Sequence, residues 1–342
     1  MNNRAPIIVG VGQLTHKSKN SGDFLHPLQG MKTAVKHAAD DAGCKDLIGT
    51  ADALHVVNIF TWNYRKVPRM LAELLDINPA LKEYTTIGGD TPQWLVNRVA
   101  DNLVSGKNDI SILAGCEVMH SVKSASASGK PPEGFQGNFQ DITPIGDDSE
   151  GVLIGNKRFG NSGDEVDYFM DMPIRIYHLI ENALRAKEGL TIEQQIENMG
   201  KFGEIFSAVA AKNPYAWSRD PLTATQVMTP SLQNRMISFP YTKLLNANLY
   251  VDQAAALIMT TPHMAQKLSI PKEKWVCLHG GQDATDIWFI SERKDIADSP
   301  AIKASVMDAL RQAQLTLENV SFFNFLQLLP LHAPFTLSCF RN

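Results

Sequence analysis

From Tyr84 to Ser121 the chain passes through a short apolar run, a double glycine, a helix-period segment, a single glycine and a second apolar run. Few folds accept that order. Tyr84-Thr85-Thr86-Ile87 reads as a buried strand and Gly88-Gly89 as a sharp turn. Asp90-Thr91 read as the cap of a helix whose first residue is Pro92, since proline there gives up no needed hydrogen bond. Leu95, Val96, Val99, Leu103 and Val104 recur at helical spacing, Gly106 is the expected left-handed stop, and Ile110 to Ala114 form a second strand. A helix that starts at a Gly-Gly turn aims its first backbone N–H groups and the positive end of its dipole at that turn, an arrangement suited to an anion or a nucleophile. The expectation is a strand–helix–strand unit with its chemistry at Gly89, Asp90 and Thr91.

The same alternation runs through the first third of the chain. Ala5 to Gly12 is a strand pattern followed by helical spacing from Leu28 to Ala39. Leu54 to Ile59 is a second strand, and Pro68 opens a second helix with Leu71, Leu74 and Leu75 inward. Strand and helix in turn predict an α/β fold with a largely parallel sheet. Gly10 and Gly12 begin a dinucleotide fingerprint, but its third glycine would fall at Thr15, so that reading is set aside. Periodicity stops between Val122 and Gly163 and resumes as helices over 172–187 and 192–212. With 342 residues, 44% of them apolar, the chain is long enough for two domains. A net charge of −4 and a pI near 6.1 exclude a basic nucleic-acid footprint. Cys44, Cys116, Cys277 and Cys339 form no C-x-x-C pair, no histidines take a metal spacing, and no run spans a bilayer. A reducing cytoplasm is the expected setting.

GGDTPQWLVNR, the closing AGCE, MPIRIYHLIENALRAKEG and NPYAWS together resemble the thiolase superfamily, and most closely its bacterial thiolase-like, acetyl-CoA acetyltransferase-related branch. The resemblance covers roughly residues 4 to 325 and implies a layered α/β/α fold with a mostly parallel mixed sheet. It implies a first half in 1–121 and 231–265, an inserted helical loop domain in 122–230, and a partial second half in 266–342. It also implies acyl-coenzyme A as substrate with no bound cofactor or metal, and a homodimer or a partner subunit. In this family the turn before the helix carries a catalytic cysteine. Here the corresponding position lies at Gly89, and no cysteine occurs between Cys44 and Cys116. NLYVDQAAALIM resembles the family's strand-to-helix element, with Gln253 in place of a glycine; Ala254 to Ala256 read as small packing residues, while Asp252 and Lys243 are weak candidates for substrate contact. Trp275–Leu278, Ala301–Ala313 and Val320–Phe325 resemble the first strand, first helix and second strand of the second half.

The family's later Asn or His motif, its Gly-His-Pro histidine and its Cys-x-Gly thiol have no counterpart. FLQLLPLHAPFTLSCFRN replaces the expected Tyr-Ser-Cys-Phe-Pro, as a one-base insertion would do, so the tail reads as a frameshifted, early-ending gene. Sequencing the gene tests that reading. His332 and Cys339 in the tail pair a base with a thiol on paper but read more simply as tail residues. Cys116, with Glu117 and His120 beside it, reads as a core thiol. Two functions remain: an acyl-coenzyme A acyltransferase by descent, without the usual cysteine and histidine, or a non-catalytic protein that binds acyl-coenzyme A or a partner. A truncated, inactive product is the third reading.

Overall fold

The structure is a computed structural model that describes residues 3–18, 23–62, 64, 66–129 and 151–324. In chain order the elements are β1 (Ile7–Thr15), α1 (Pro27–Asp41), β2 (Ala53–Val56), α2 (Val67–Leu75), β3 (Leu81–Thr85), α3 (Thr91–Ser105), β4 (Ile110–Val118), α4 (Met119–Ala127) and β5 (Val152–Ile154). There follow α5 (Gly163–Asp167), α6 (Pro173–Lys187), α7 (Ile192–Lys212), α8 (Ala224–Met228), β6 (Met236–Ser238), β7 (Tyr241–Thr242), β8 (Asp252–Thr260), α9 (Pro262–Lys267), β9 (Val276–Cys277) and α10 (Pro300–Ala313). Contacts group them into two units, 1–157 with 249–278, and 158–248 with 279–342.

The first unit is built on a seven-stranded sheet in the order β5-β3-β2-β4-β8-β1-β9. β5, β3, β2 and β4 run parallel, and β8 is antiparallel to both β4 and β1. Five of the strands therefore point one way, as the α/β alternation requires. On one face lie α1 and α2 over Leu54, Val56, Ile112 and Ala114; on the other α3 lays Leu95, Val99 and Leu103 against Leu113 and Met259. Each of these fully buried aliphatic side chains contributes about 1.5–3 kcal/mol.

Close packing of α1 explains the two glycines of β1. A β-carbon at Gly10 would stand 2.1 Å from the Ala38 carbonyl oxygen, and one at Gly12 would stand 1.9 Å from that of Ala34. They serve helix packing, and no phosphate. Gly106 ends α3 in the left-handed region with φ 76°, where the Arg4 guanidinium also donates to the Leu103 carbonyl at 2.8 Å.

The strand-to-helix element expected here is β8 leading into α9, and alternation along β8 turns Ala254 and Ala256 toward α1, where their small size admits the helix. Two expectations differ. Trp275–Leu278 yields β9, which pairs with β1 on the edge of this sheet. Leu278 N–H donates to the Pro6 carbonyl at 3.1 Å, extending the cover that β9 gives to the start of the β1 edge. Residues 320–324 form no strand, while Phe325 and the tail with His332 and Cys339 lie outside the described residues. Much of the aperiodic segment, 130–150, lies outside them too; its flanks form α4 and β5.

The second unit is mostly helical. Capping boxes at Ser162, Thr191 and Thr223 start α5, α7 and α8. Its core holds a buried polar group in which Tyr241 Oη–H donates to Glu181 Oε2 at 2.5 Å, Gln195 bonds the other Glu181 oxygen, and His178 stacks on Tyr241 with ring centroids 4.6 Å apart. Gly280 faces α10 as Gly10 faces α1: a β-carbon there would stand 2.2 Å from the Ala309 carbonyl oxygen.

Candidate functional site

The carboxyl ends of β2, β3 and β4 meet a set of loops that the sheet itself holds in place. After β2, Asn58 N–H donates to Thr85 Oγ1 at 2.9 Å and its side-chain amide to the Thr85 carbonyl at 3.0 Å, fastening this loop to the end of β3. From the end of β4, Glu117 accepts the N–H groups of Phe60 at 2.6 Å and Thr61 at 3.0 Å. Thr61 in turn accepts the Val118 N–H at 3.2 Å. Burial pushes the Glu117 carboxyl above its ordinary range, and the hydrogen bonds from Thr61 and Phe60 pull it partly back. Glu117 therefore braces the 58–62 loop. Trp62 continues that loop and packs between His26 and Tyr64, at centroid distances of 5.1 and 5.8 Å.

The turn from Thr86 to Asp90 opens at the same end. Gly89 and Asp90 are exposed, and a β-carbon at Gly89 would meet no atom within 4 Å. Gly88 differs: a β-carbon there would fall 2.5 Å from Thr91 Oγ1 and 3.0 Å from Asp90 Oδ1. A side chain at position 88 would have to displace the Thr91 hydroxyl and the Asp90 carboxylate, whereas position 89 is free to bear one.

Capping at this turn is not as the sequence suggests. Asp90 has helical angles, φ −85° and ψ −16°, so its carboxylate makes no cap bond; a side-chain cap needs extended backbone. Its carbonyl instead accepts both Gln93 N–H at 3.0 Å and Trp94 N–H at 3.1 Å, while Thr91 N–H bonds the Gly88 carbonyl at 3.3 Å. Pro92 has no N–H to offer. The tightened first turn consumes the donors that a Gly-Gly helix start was expected to point outward, leaving the dipole alone at this end.

The other sequence candidates lie apart from the turn. Cys116 is buried within the α1 side of the core, so close to that helix that a β-carbon on Gly30 would stand 2.6 Å from its Sγ. Burial, then the charges of Glu117 and Asp252, drive its thiol well above the usual range, opposite to the shift a thiolate nucleophile needs. Asp252 is fully buried at the start of β8 and accepts Ser121 N–H at 3.0 Å and Ser121 Oγ–H at 2.6 Å. Ser121 Oγ in turn accepts Leu25 N–H at 2.9 Å, so Asp252 caps α4 from outside and anchors the loop before α1. His120 gives its backbone N–H to the Val251 carbonyl. Lys243 is exposed, in the second unit.

Sequence reading missed one group. His55 on β2 and Glu83 on β3 sit opposite each other in register, both buried, with His55 Nδ1 2.8 Å from Glu83 Oε2. Arg98 on α3 donates to the two oxygens of Glu83 at 3.2 and 2.6 Å. Burial raises the Glu83 pKa, but the bonds from His55 and Arg98 outweigh it and bring the carboxyl to about 2. The available signal was charge at the inward positions of two strands, ALHV and LKEYT, with an arginine about two turns into the helix that covers them. Among the described residues no group of three or more His, Cys, Asp or Glu side chains is placed to hold a metal. No helix among them is long and apolar enough to cross a membrane.

Neither a comparison with protein-family models nor one with curated protein sequences gives a match. Solved structures do. The chain is similar to a monomeric SCP2-thiolase-like protein type 1 from Mycobacterium smegmatis, with 28% identity and a TM-score of 0.77 over 97% of this chain. It spans 62% of the length of that structure. An Ltp2-ChsH2(DUF35) aldolase matches at 17% identity and TM-score 0.68, over 99% of this chain and 78% of that one. Acetyl-CoA acetyltransferase from Syntrophomonas wolfei matches at 15% identity and TM-score 0.56, over 98% and 81%.

Proposed function

For a chain that belongs to the thiolase superfamily, we propose binding of an acyl-coenzyme A at the carboxyl ends of β2, β3 and β4, without acyl transfer to a cysteine. One observation carries the reading: position 89 stands open at the end of the sheet's parallel strands, where ligands of such sheets bind, and it bears no nucleophile. Acyl transfer through a thioester needs a thiolate, an oxyanion site and a base. The turn supplies no thiol, its first helical N–H groups bond within the turn, and Cys116 is sealed beneath Gly30. Thr91 is buried against Gly88, which favours a packing role for its hydroxyl.

The test is calorimetric titration of the full chain with acetyl-CoA and with coenzyme A, together with thiolysis and condensation assays. Binding that Gly89→Trp abolishes, without turnover, supports the proposal. Failure of either acyl-CoA or coenzyme A to bind at millimolar concentration overturns it, as does robust turnover that Cys116→Ala abolishes. A partner subunit is the second reading, favoured by the likeness to the Ltp2-ChsH2(DUF35) assembly. A homodimer and a cytoplasmic setting complete the proposal; the similar structure from Mycobacterium smegmatis is described as monomeric, so light scattering of the purified chain is the direct check.

A further inference from the structure

At the opposite end of β3 the first unit has a concavity. A cleft of about 560 Å3 opens between α2, the loop from α2 to β3, and the start of β5. That volume lies within the range of small-molecule sites. Its floor is apolar, made by Ala72, Ile77, Leu81 and Val152, and its rim carries Arg69, Glu73, Asn78 and Lys82. Gly151 borders the cleft on the β5 side.

The rim charges are unequal. Arg69 Nε donates to Glu73 Oε1 at 2.7 Å, so that cation has an acid beside it. Lys82 Nζ is held by neutral oxygens only, Asn78 Oδ1 at 3.1 Å and the Pro79 carbonyl at 2.6 Å. Among the described residues no carboxylate pairs with it. An ammonium has three donors, so two fixed bonds orient the head and leave its charge and one donor for something else. Lys82 is half-buried, which lowers the screening of that charge relative to a fully solvated lysine. β3 has five residues, about 17 Å of strand, so this cleft and the Gly88–Gly89 turn lie at separate ends of one element.

We propose that the cleft binds a small organic monoanion, an aliphatic carboxylate whose head pairs with Lys82 and whose chain covers the Ala72–Ile77–Leu81–Val152 floor. The anionic head answers the one rim cation without an acid, and the chain answers the apolar floor. This site is independent of the acyl-coenzyme A reading, because none of its residues belongs to the turn.

Hexanoate is the probe, titrated into the full chain by calorimetry or ligand-observed NMR, with acetate, inorganic phosphate and hexylammonium as controls. Hexanoate is expected to bind more tightly than acetate, phosphate or hexylammonium. Lys82→Gln keeps a donor but removes the charge, and weakens hexanoate about tenfold or more. Ala80→Trp, at an exposed position on the rim, fills the cleft and blocks binding while the thermal melt stays that of the parent. Gly89→Trp leaves hexanoate binding unchanged. The proposal is overturned by no hexanoate binding at millimolar concentration, by equal binding to Lys82→Gln, by equal binding of hexylammonium or phosphate, or by loss of hexanoate binding in Gly89→Trp.

Discussion

Glu83 faces His55 across the β2–β3 pair, 2.8 Å from its Nδ1, in the interior of a sheet whose neighbouring positions are apolar. With Arg98 donating from α3, this carboxylate links two strands to the helix that begins at the Gly88–Gly89 turn. A buried carboxylate held by an imidazole and a guanidinium persists because breaking the group strands a charge; an apolar replacement of the whole group is a different matter.

The pH consequence follows from the direction of the shift. The ordinary Glu83 value of 4.5 falls to about 2 in the folded protein, so its contribution to stability is present in full above about pH 4.5 and is lost as pH falls toward 2. The linked free energy is on the order of 3 to 4 kcal/mol. In acid titrations followed by circular dichroism, Glu83→Gln is expected to lower stability at pH 7 and to flatten the loss of stability between pH 4.5 and 2. An unchanged acid transition in that variant would show that the Glu83 network does not set it.

The second unit carries a group of the opposite kind. Burial lowers the His178 pKa, so the folded state holds the ring neutral, and the folded protein loses stability as pH falls below about 6.5. His178→Phe preserves an aromatic ring against Tyr241 and removes the titration. It is expected to resist acid better than the parent between pH 6.5 and 5 while differing little at pH 8. Equal melting curves at pH 5 would remove His178 from the acid response.

Asp252 offers a test of a purely structural role. Asp252→Ala leaves the buried Ser121 N–H and hydroxyl without an acceptor and costs about 3 kcal/mol, the sum of a lost cap and a lost buried hydrogen bond. Denaturant melts measure it. Destabilisation below about 1 kcal/mol would mean that water replaces the carboxylate and that α4 does not depend on it.

The first half of this fold was legible because its signals are local. Period-2 and period-3.6 runs, Pro92 at a helix start and Gly106 at a helix end each act within a few residues. What the sequence hid depends on partners far away in the chain. Asp252 meets Ser121 across a separation of 131 residues, and Glu83 is neutralised by two elements on either side of it. β8 depends on distant partners too: alanines carry little strand preference of their own, and the two neighbouring strands, β1 and β4, pair along its length and hold it extended. At the turn, the Asp90-Thr91 pair matched a cap by residue type, and the helical angles of Asp90 cancelled it.

The last prediction separates the two positions at which a thiol matters. Cys116 lies against α1, with a raised pKa and about 6% of its surface exposed, so both the thiolate fraction and the access that alkylation requires are low. Gly89 is exposed, lies outside the left-handed region, and leaves space around a β-carbon. A Gly89→Cys variant should therefore fold with a stability within about 0.5 kcal/mol of the parent. Its new thiol sits at the positive end of the α3 dipole, which favours the thiolate. In native protein at pH 7.5, iodoacetamide labelling followed by peptide mass spectrometry is expected to modify position 89 at least tenfold faster than Cys116. Gly12→Ala is the contrasting control, for there a β-carbon strikes the Ala34 carbonyl and overpacking costs about 1–3 kcal/mol. Comparable labelling of Cys116 and of the new cysteine would mean that the α1 face opens readily in solution, and that the buried thiol is available to chemistry after all.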